Sequence, residues 1–202
     1  IDGNGTLSGE AGMTVGGLDW QPGTVLVTPT TGQTVTAPVV GDVFQSYATG
    51  KLGNFQNLDG DAIGGTDLNS TYQWTYAIAF QETVLTVSAD GSNATFGANA
   101  GGDNFFRVYF SPNTSASTIN GTGFATDNPG AILVMEGYIN AYDLMTSMGV
   151  TSFSNASYAR LPLDTFGADQ YPGVTSISGS GGGKLAVNST YCNSPSRYRS
   201  IS

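Results

Sequence analysis

The sequence predicts an all-β chain: an antiparallel β-sandwich, jelly-roll-like, that forms a single domain over residues 1–202 with Gly-rich loops. Three observations carry that expectation. Apolar and polar residues alternate in many short segments, helical periodicity is scarce, and clusters of Gly, Pro and Asn break the chain at regular intervals. No shift in composition marks a second domain, and no repeat with a period of about 20–50 residues is present.

In chain order, strands are expected over residues 13–20, 24–28, 34–40 and 43–52, where Val, Thr, Leu and aromatic side chains recur between turns such as Pro22-Gly23. The clearest strand is 72–80. There Tyr72, Trp74, Tyr76, Ile78 and Phe80 share one face while Gln73, Thr75, Ala77 and Ala79 share the other, the period of a half-buried strand with its large residues inward. A strand over 83–87 leads into the turn residues Ala89-Asp-Gly-Ser92. Further strands are expected over 104–110, 131–138, 152–161, 174–178 and 184–188, separated by Ser111-Pro-Asn113, Asp127-Asn-Pro-Gly130 and a Gly/Ser turn over 178–183. Residues 140–148 are the one stretch that suits a short helix, with Gly149 behind it as a C-cap.

Composition excludes much chemistry. The chain has 6 Lys+Arg against 15 Asp+Glu, a formal net charge of −9, no His and one Cys. Without His there is no Ser-His-Asp triad, no imidazole metal ligand and no His proton shuttle. The lone Cys192 makes neither a Cys-rich zinc site nor an intrachain disulfide, which leaves it a free thiol or an intermolecular partner. Nucleic acid is not an expected partner, because binding it needs Lys and Arg aligned along phosphates. No run approaches the roughly 18 apolar residues of a membrane-spanning helix, so no transmembrane segment is expected.

Lys occurs only at Lys51 and Lys184, so Thr, Ser, Asn and Gly must keep the surface soluble. That habit suits an exported microbial protein, secreted and extracellular or held at the cell surface. The chain shows no basic segment followed by an apolar run and a small-residue cleavage site, so any export signal is expected to have been removed or to lie outside this sequence.

Several residues are candidates for a site. Asn57, Asp59 and Asp61, followed by Asp67, place oxygen ligands at alternate positions, as a calcium loop does, and calcium is the one cofactor they suggest. The Gly and the terminal carboxylate of an EF-hand are missing, and Asp and Asn in Gly-rich loops also serve as turn formers that bond their own backbone. Glu82 and Glu136 are the strand-borne carboxylates that a glycosidase would need, yet a lone strand Glu more often faces solvent or pairs with an Arg such as Arg107. No enzymatic activity is expected. Trp74 belongs to the inward set, whereas Trp20, beside Gln21-Pro22-Gly23 at a strand end, is the candidate ring for stacking on a glycan. Asn4, Asn69, Asn93, Asn113, Asn120, Asn155 and Asn188 fit the Asn-x-Ser/Thr pattern, where roughly three would arise by chance, and are candidate glycosylation sites.

Several segments, in order, carry a resemblance: Gly17-Leu-Asp-Trp-Gln-Pro-Gly-Thr-Val-Leu26, Val43-Phe-Gln-Ser-Tyr-Ala-Thr-Gly-Lys-Leu-Gly53, Phe105-Phe-Arg-Val-Tyr-Phe110, Gly121-Thr-Gly-Phe124, Gly130-Ala-Ile-Leu-Val-Met-Glu-Gly137 and Leu163-Asp-Thr-Phe-Gly-Ala-Asp-Gln-Tyr-Pro-Gly-Val-Thr-Ser-Ile-Ser-Gly-Ser-Gly181. Together they resemble exported bacterial proteins with the PEP-CTERM sorting signal, a family with members associated with flocculation and extracellular matrix. The Pro-Glu-Pro signal, apolar span and basic tail of that family are missing after Tyr191. The resemblance implies an extracellular matrix role and transfers no catalytic residue.

The expected function is therefore a structural subunit of an extracellular filament or of a biofilm or floc matrix, a homopolymer built by strand complementation. Strand edges template assembly unless Lys, Pro or charge blunts them, and Lys is nearly absent here. The segment 1–14, with Ile1, Leu7 and Met13 as its apolar residues, is the first candidate donor, and 184–191 the second. The alternative is a secreted carbohydrate-binding adhesin whose partner is extracellular polysaccharide.

Overall fold

The computed structural model describes residues 12–21, 23–30, 39–89, 93–99, 101–117, 122–124, 128–140, 150–162, 175–183 and 187–192. Among them are ten strands and no helix: β1 (Gly17–Trp20), β2 (Thr24–Pro29), β3 (Val43–Gln56), β4 (Gln73–Val87), β5 (Asn93–Asn99), β6 (Phe105–Ser111), β7 (Ile132–Ile139), β8 (Val150–Pro162), β9 (Thr175–Gly183) and β10 (Val187–Cys192). The all-β, antiparallel class holds. The pairings join the strands into one continuous sheet.

The long strands β3 and β4 form the axis, paired from Val43↔Thr83 to Lys51↔Thr75. Each of their outer edges is covered by a strand broken in its middle. Along β3, β1 pairs from Gly17↔Gln56 to Trp20↔Leu52 and β2 takes over from Thr24↔Thr49 to Pro29↔Phe44. Along β4, β5 covers the half from Val87 to Gln81 and β6 the half from Ala79 to Gln73. The sheet forks at these breaks. On one branch β7 pairs with β6 and β10 with β7; on the other β8 pairs with β5 and β9 with β8, and β9 comes round beside β2.

Alternation along β4 decides what is buried. Trp74, with Tyr72 just ahead of the strand, packs with Leu52, Phe55, Val108, Phe110 and Val134 into the main core cluster, and Tyr76 packs against it. The rings meet edge-on, with centroids 5.6 Å apart for Phe55 and Trp74 and 6.5 Å for Trp74 and Phe110. Such pairs add about 0.5–1.5 kcal/mol each beyond area burial. Further along the inner face lie Phe80 with Ala98 and Ile139, then Phe44 with Val84, Ala94 and Phe96.

The opposite face of β4 is covered at its start. Gln73 and Thr75 are only 0% and 2% exposed because the chain after β6 folds over them. The Gln73 amide donates to the Gly123 carbonyl at 3.1 Å and accepts from the Ala116 N–H at 3.1 Å, and the Thr75 hydroxyl donates to the Phe124 carbonyl at 2.8 Å. Buried polar side chains on a strand are tolerated when each polar atom is satisfied in this way.

The sequence and the structure differ in places that have physical reasons. Residues 73–80 and 83–87 lie in one strand, with Tyr72 just ahead of it, because Gln81 and Glu82 continue the pairing with β3 without a break. Residues 93–99, not expected as a strand, form β5; its inward residues alternate as Ala94, Phe96 and Ala98, a small-residue version of the pattern. The run over 178–183, expected as a turn, belongs to β9, where Gly181, Gly182 and Gly183 pair with Phe153, Ser152 and Thr151. Gly permits a turn but does not impose one when a partner strand is at hand. Residues 13–16 precede β1 rather than lengthening it, and of the strand expected over 34–40 the described part, Val39 and Val40, opens a turn closed by the Asp42 N–H on the Val39 carbonyl at 3.0 Å. Residues 34–38, the candidate helix over 141–148 and Lys184 lie outside the described residues.

Gly50 shows how tightly the fork is packed. It stands opposite Tyr76, and a Cβ there would run into the Tyr76 ring, while a Cβ on Gly23 would lie 2.6 Å from the Tyr76 hydroxyl. The break between β1 and β2 thus makes room for the Tyr76 ring. Gly50→Ala is expected to lower stability by about 1–3 kcal/mol through overpacking, read as a lower urea midpoint at unchanged m-value.

Candidate functional site

The outer face of the sheet holds the most organised group of polar and aromatic side chains. Ala77 and Ala79 occupy the middle of β4 on this face, Ala77 half-buried and Ala79 fully buried. At one end the segment that covers Gln73 and Thr75 forms a rim. At the other, the excursion between β5 and β6 lies down on Gln45 and Gln81. Gly102, at φ +61°, packs against both amides in a conformation that L side chains rarely adopt. The Gln45 amide donates to the Asp103 carbonyl at 3.0 Å and accepts from the Asp103 N–H at 3.1 Å, which pins that rim.

Register places side chains across this face. Ala79 has Tyr47 on one side, in β3, and Phe105 on the other, in β6. Continuing the β6–β7 register from Phe106↔Gly137 sets Tyr138 beside Phe105. Tyr138 is 43% exposed, and Tyr47 and Phe105 are half-buried. One position along, Arg107 is paired with Glu136. Its Nε lies 2.6 Å from Glu136 Oε1, and its guanidinium carbon sits 4.5 Å over the centre of the Phe105 ring. The hydrogen bond it donates to Glu136 holds the Arg107 guanidinium even more firmly protonated than usual. The Tyr47 hydroxyl donates to Asp103 Oδ2 at 2.8 Å, and that bond, with some desolvation, raises the phenol above its ordinary value.

The sequence-predicted residues are dispersed. Glu82 is 2% exposed on the inner face, accepts a hydrogen bond from the Ser46 hydroxyl, and lies opposite Phe44 and Ala98. Glu136 is on the outer face, so the two carboxylates stand on opposite sides of the sheet and cannot flank one glycosidic bond. Asn57, Asp59 and Asp61 share a turn in which Asn57 Oδ1 accepts the N–H groups of Asp59 and Asp61, both at 2.9 Å. That is the turn-forming use of Asx residues. Asp67 lies in the following turn at φ +51°, and among the described residues no three His, Cys, Asp or Glu side chains gather in a group that could hold a metal ion. Trp20 is half-buried, edge-on to Tyr76 with centroids 4.9 Å apart and packed against the main core, so it is no free-standing ring.

Met13 is half-buried against that same core. Ile1, Leu7, Asn4 and Asn120 lie outside the described residues, and the side chains of Asn155, Asn188 and Cys192 do as well. Asn69 donates from its amide to the Leu52 carbonyl at 2.7 Å, so its nitrogen is already engaged. Asn93 is exposed at the start of β5, and the exposed Asn113 donates to the Pro129 carbonyl at 2.6 Å. No helix among the described residues is long and apolar enough to cross a membrane. Comparison with family models, curated proteins and solved structures returns no match to this chain.

The tyrosines make stability sensitive to alkali. Burial raises the phenol of Tyr76, and the folded chain therefore keeps its proton where the unfolded chain loses it. The stability this contributes is intact below the ordinary tyrosine value of about 10 and is lost as pH rises beyond it. Urea unfolding followed from pH 7 to 11 is expected to show stability falling above about pH 10, with a shallower fall in Tyr76→Phe.

Proposed function

We propose that the chain is a secreted, non-catalytic structural subunit of an extracellular filament or of a biofilm or floc matrix, joined to its neighbours by strand complementation. The composition of the outermost strands is the observation that supports this reading. β9 pairs with β8, and among the described residues β10 has β7 as its one ladder partner. Neither Thr175–Gly183 nor Val187–Cys192 contains Lys, Arg, Asp, Glu or Pro. Such strands lack the charges and prolines with which soluble proteins guard an edge. A segment that adds to the edge of β10 in the next copy makes a head-to-tail contact, which propagates as an open chain.

The segment ahead of Met13 is the proposed donor. Met13 and Val15 pack on the core of their own chain and so anchor its root, leaving Ile1 and Leu7 as the apolar side chains for a neighbour. Residues 187–192, within the second candidate donor, are seated on β7 of their own chain, which makes their outer edge the acceptor.

Negative-stain microscopy and light scattering of the intact chain test the proposal. Polymers are expected from the intact chain, and monomers from a chain starting at residue 12 and from Thr190→Lys, which puts a guard charge on an exposed edge position. Intact chain that stays monomeric at every concentration would overturn the reading, and polymers unaffected by the truncation would remove the segment as donor.

A further inference from the structure

We infer that a bulge at Thr190 decides what adds to the edge of β10: it bars pairing with β10 of a second copy and leaves the edge to a flexible, glycine-bearing segment. The inference rests on the assembly proposal for its donor, whereas the barring of β10 against β10 is a property of the folded chain alone.

Register sets the bulge. Ser189 pairs with Gly137 and Tyr191 with Glu136, consecutive residues of β7, so Thr190 is an extra residue in the ladder. Two hydroxyls hold it there. Ser189 donates to the Glu136 carbonyl at 3.4 Å and Thr190 to the same carbonyl at 3.3 Å, and both residues are exposed.

An extra residue breaks the two-residue period in which a strand offers N–H and C=O groups to its free side. The outer edge of β10 is thereby cut into 187–189 and 191–192, runs of three and two residues, where an ordinary strand has about five or six. Two such edges meeting antiparallel must match a break with a regular run or set one extra residue against the other. Either way fewer ladder hydrogen bonds form.

This exclusion bears on polarity. A joint of β10 with β10 is isologous and closes a dimer, consuming both acceptor edges, whereas a donated terminal segment is heterologous and leaves an acceptor free for the next copy. The opposite edge of the same ladder, β1, carries the exposed Asp19 and is followed by Pro22, so it too is a poor mate for β10. A segment with Gly3, Gly5 and Gly9 escapes these limits, since Gly takes the positive φ with which a strand follows a bulge.

Deletion of Thr190 tests the inference, because Gly137 and Glu136 keep their partners and every paired residue keeps its face. Sedimentation velocity compares a chain starting at residue 12 with and without the deletion, and circular dichroism checks the fold. The chain that retains Thr190 is expected to stay monomeric. The deletion variant is expected to dimerise with Kd lowered at least tenfold, and to return to monomer when Ser189→Lys is added. In the intact chain the deletion is expected to shorten the polymers, since joints of β10 with β10 cap them. A folded deletion variant that stays monomeric would overturn the inference. So would a dimer formed with Thr190 in place and abolished by Ser189→Lys, a result that does not depend on the deletion. Intact chain that never polymerises would instead remove the assembly reading, and dimerisation of the deletion variant would still decide the role of the bulge.

Discussion

Strands β3 and β4 stay paired over nine positions while the strands on either side of them break, and the rest of the sheet follows from that mismatch. A sheet this long twists, and a flanking strand that kept pace along its whole length would have to twist with it. The breaks between β1 and β2 and between β5 and β6 relieve this by letting each half choose its next neighbour, β7 on one branch and β8 on the other. Tyr76 sits at one break. Its ring crosses Gly50 and reaches toward Gly23, which ties the position of the break to residues with no Cβ and explains why two glycines face one aromatic.

The second break produces the site. The excursion between β5 and β6 does not loop into solvent; Gly101 and Gly102 bring the backbone down onto Gln81 and Gln45, and Asp103 locks it to Gln45 and Tyr47. Together with the segment over Gln73 and Thr75, it bounds the stretch of β4 that holds the half-buried Ala77 and the fully buried Ala79. Thus the same interruption that lets the sheet fork also brings Asp103 onto the outer face, against Gln45 and Tyr47.

What was legible in the sequence was whatever period two encodes with large side chains. The inward set Tyr72, Trp74, Tyr76, Ile78 and Phe80 is found in or against the core, with Trp74 1% exposed. β5 was illegible because Ala does the work of Leu there, opposite large residues on β4. β9 was misread because a Gly/Ser run has the same composition in a turn and in a pairing strand. Trp20 was misread for a related reason: a strand end is not an exposed place when another chain segment brings a ring such as Tyr76 against it. The row of rings on the outer face was out of reach altogether. Tyr47, Phe105 and Tyr138 lie on three strands separated by long stretches of sequence, and only the registers 47↔79, 79↔105 and 106↔137 put them in one row.

Charge acquires a different meaning once the registers are known. With 6 basic residues in 202, an Arg is a scarce group, and Arg107 stands near the middle of the sheet with its charge cancelled by Glu136. A cross-strand pair of this exposure adds little stability, on the order of 0–1 kcal/mol. Stability alone is therefore a weak reason for so constrained an arrangement, in which the guanidinium is held by a carboxylate and a ring at once. Its larger physical effect is to remove net charge from a face rich in rings and hydrogen-bonding groups. Long-range attraction between this pair and an ionic partner is thereby weakened.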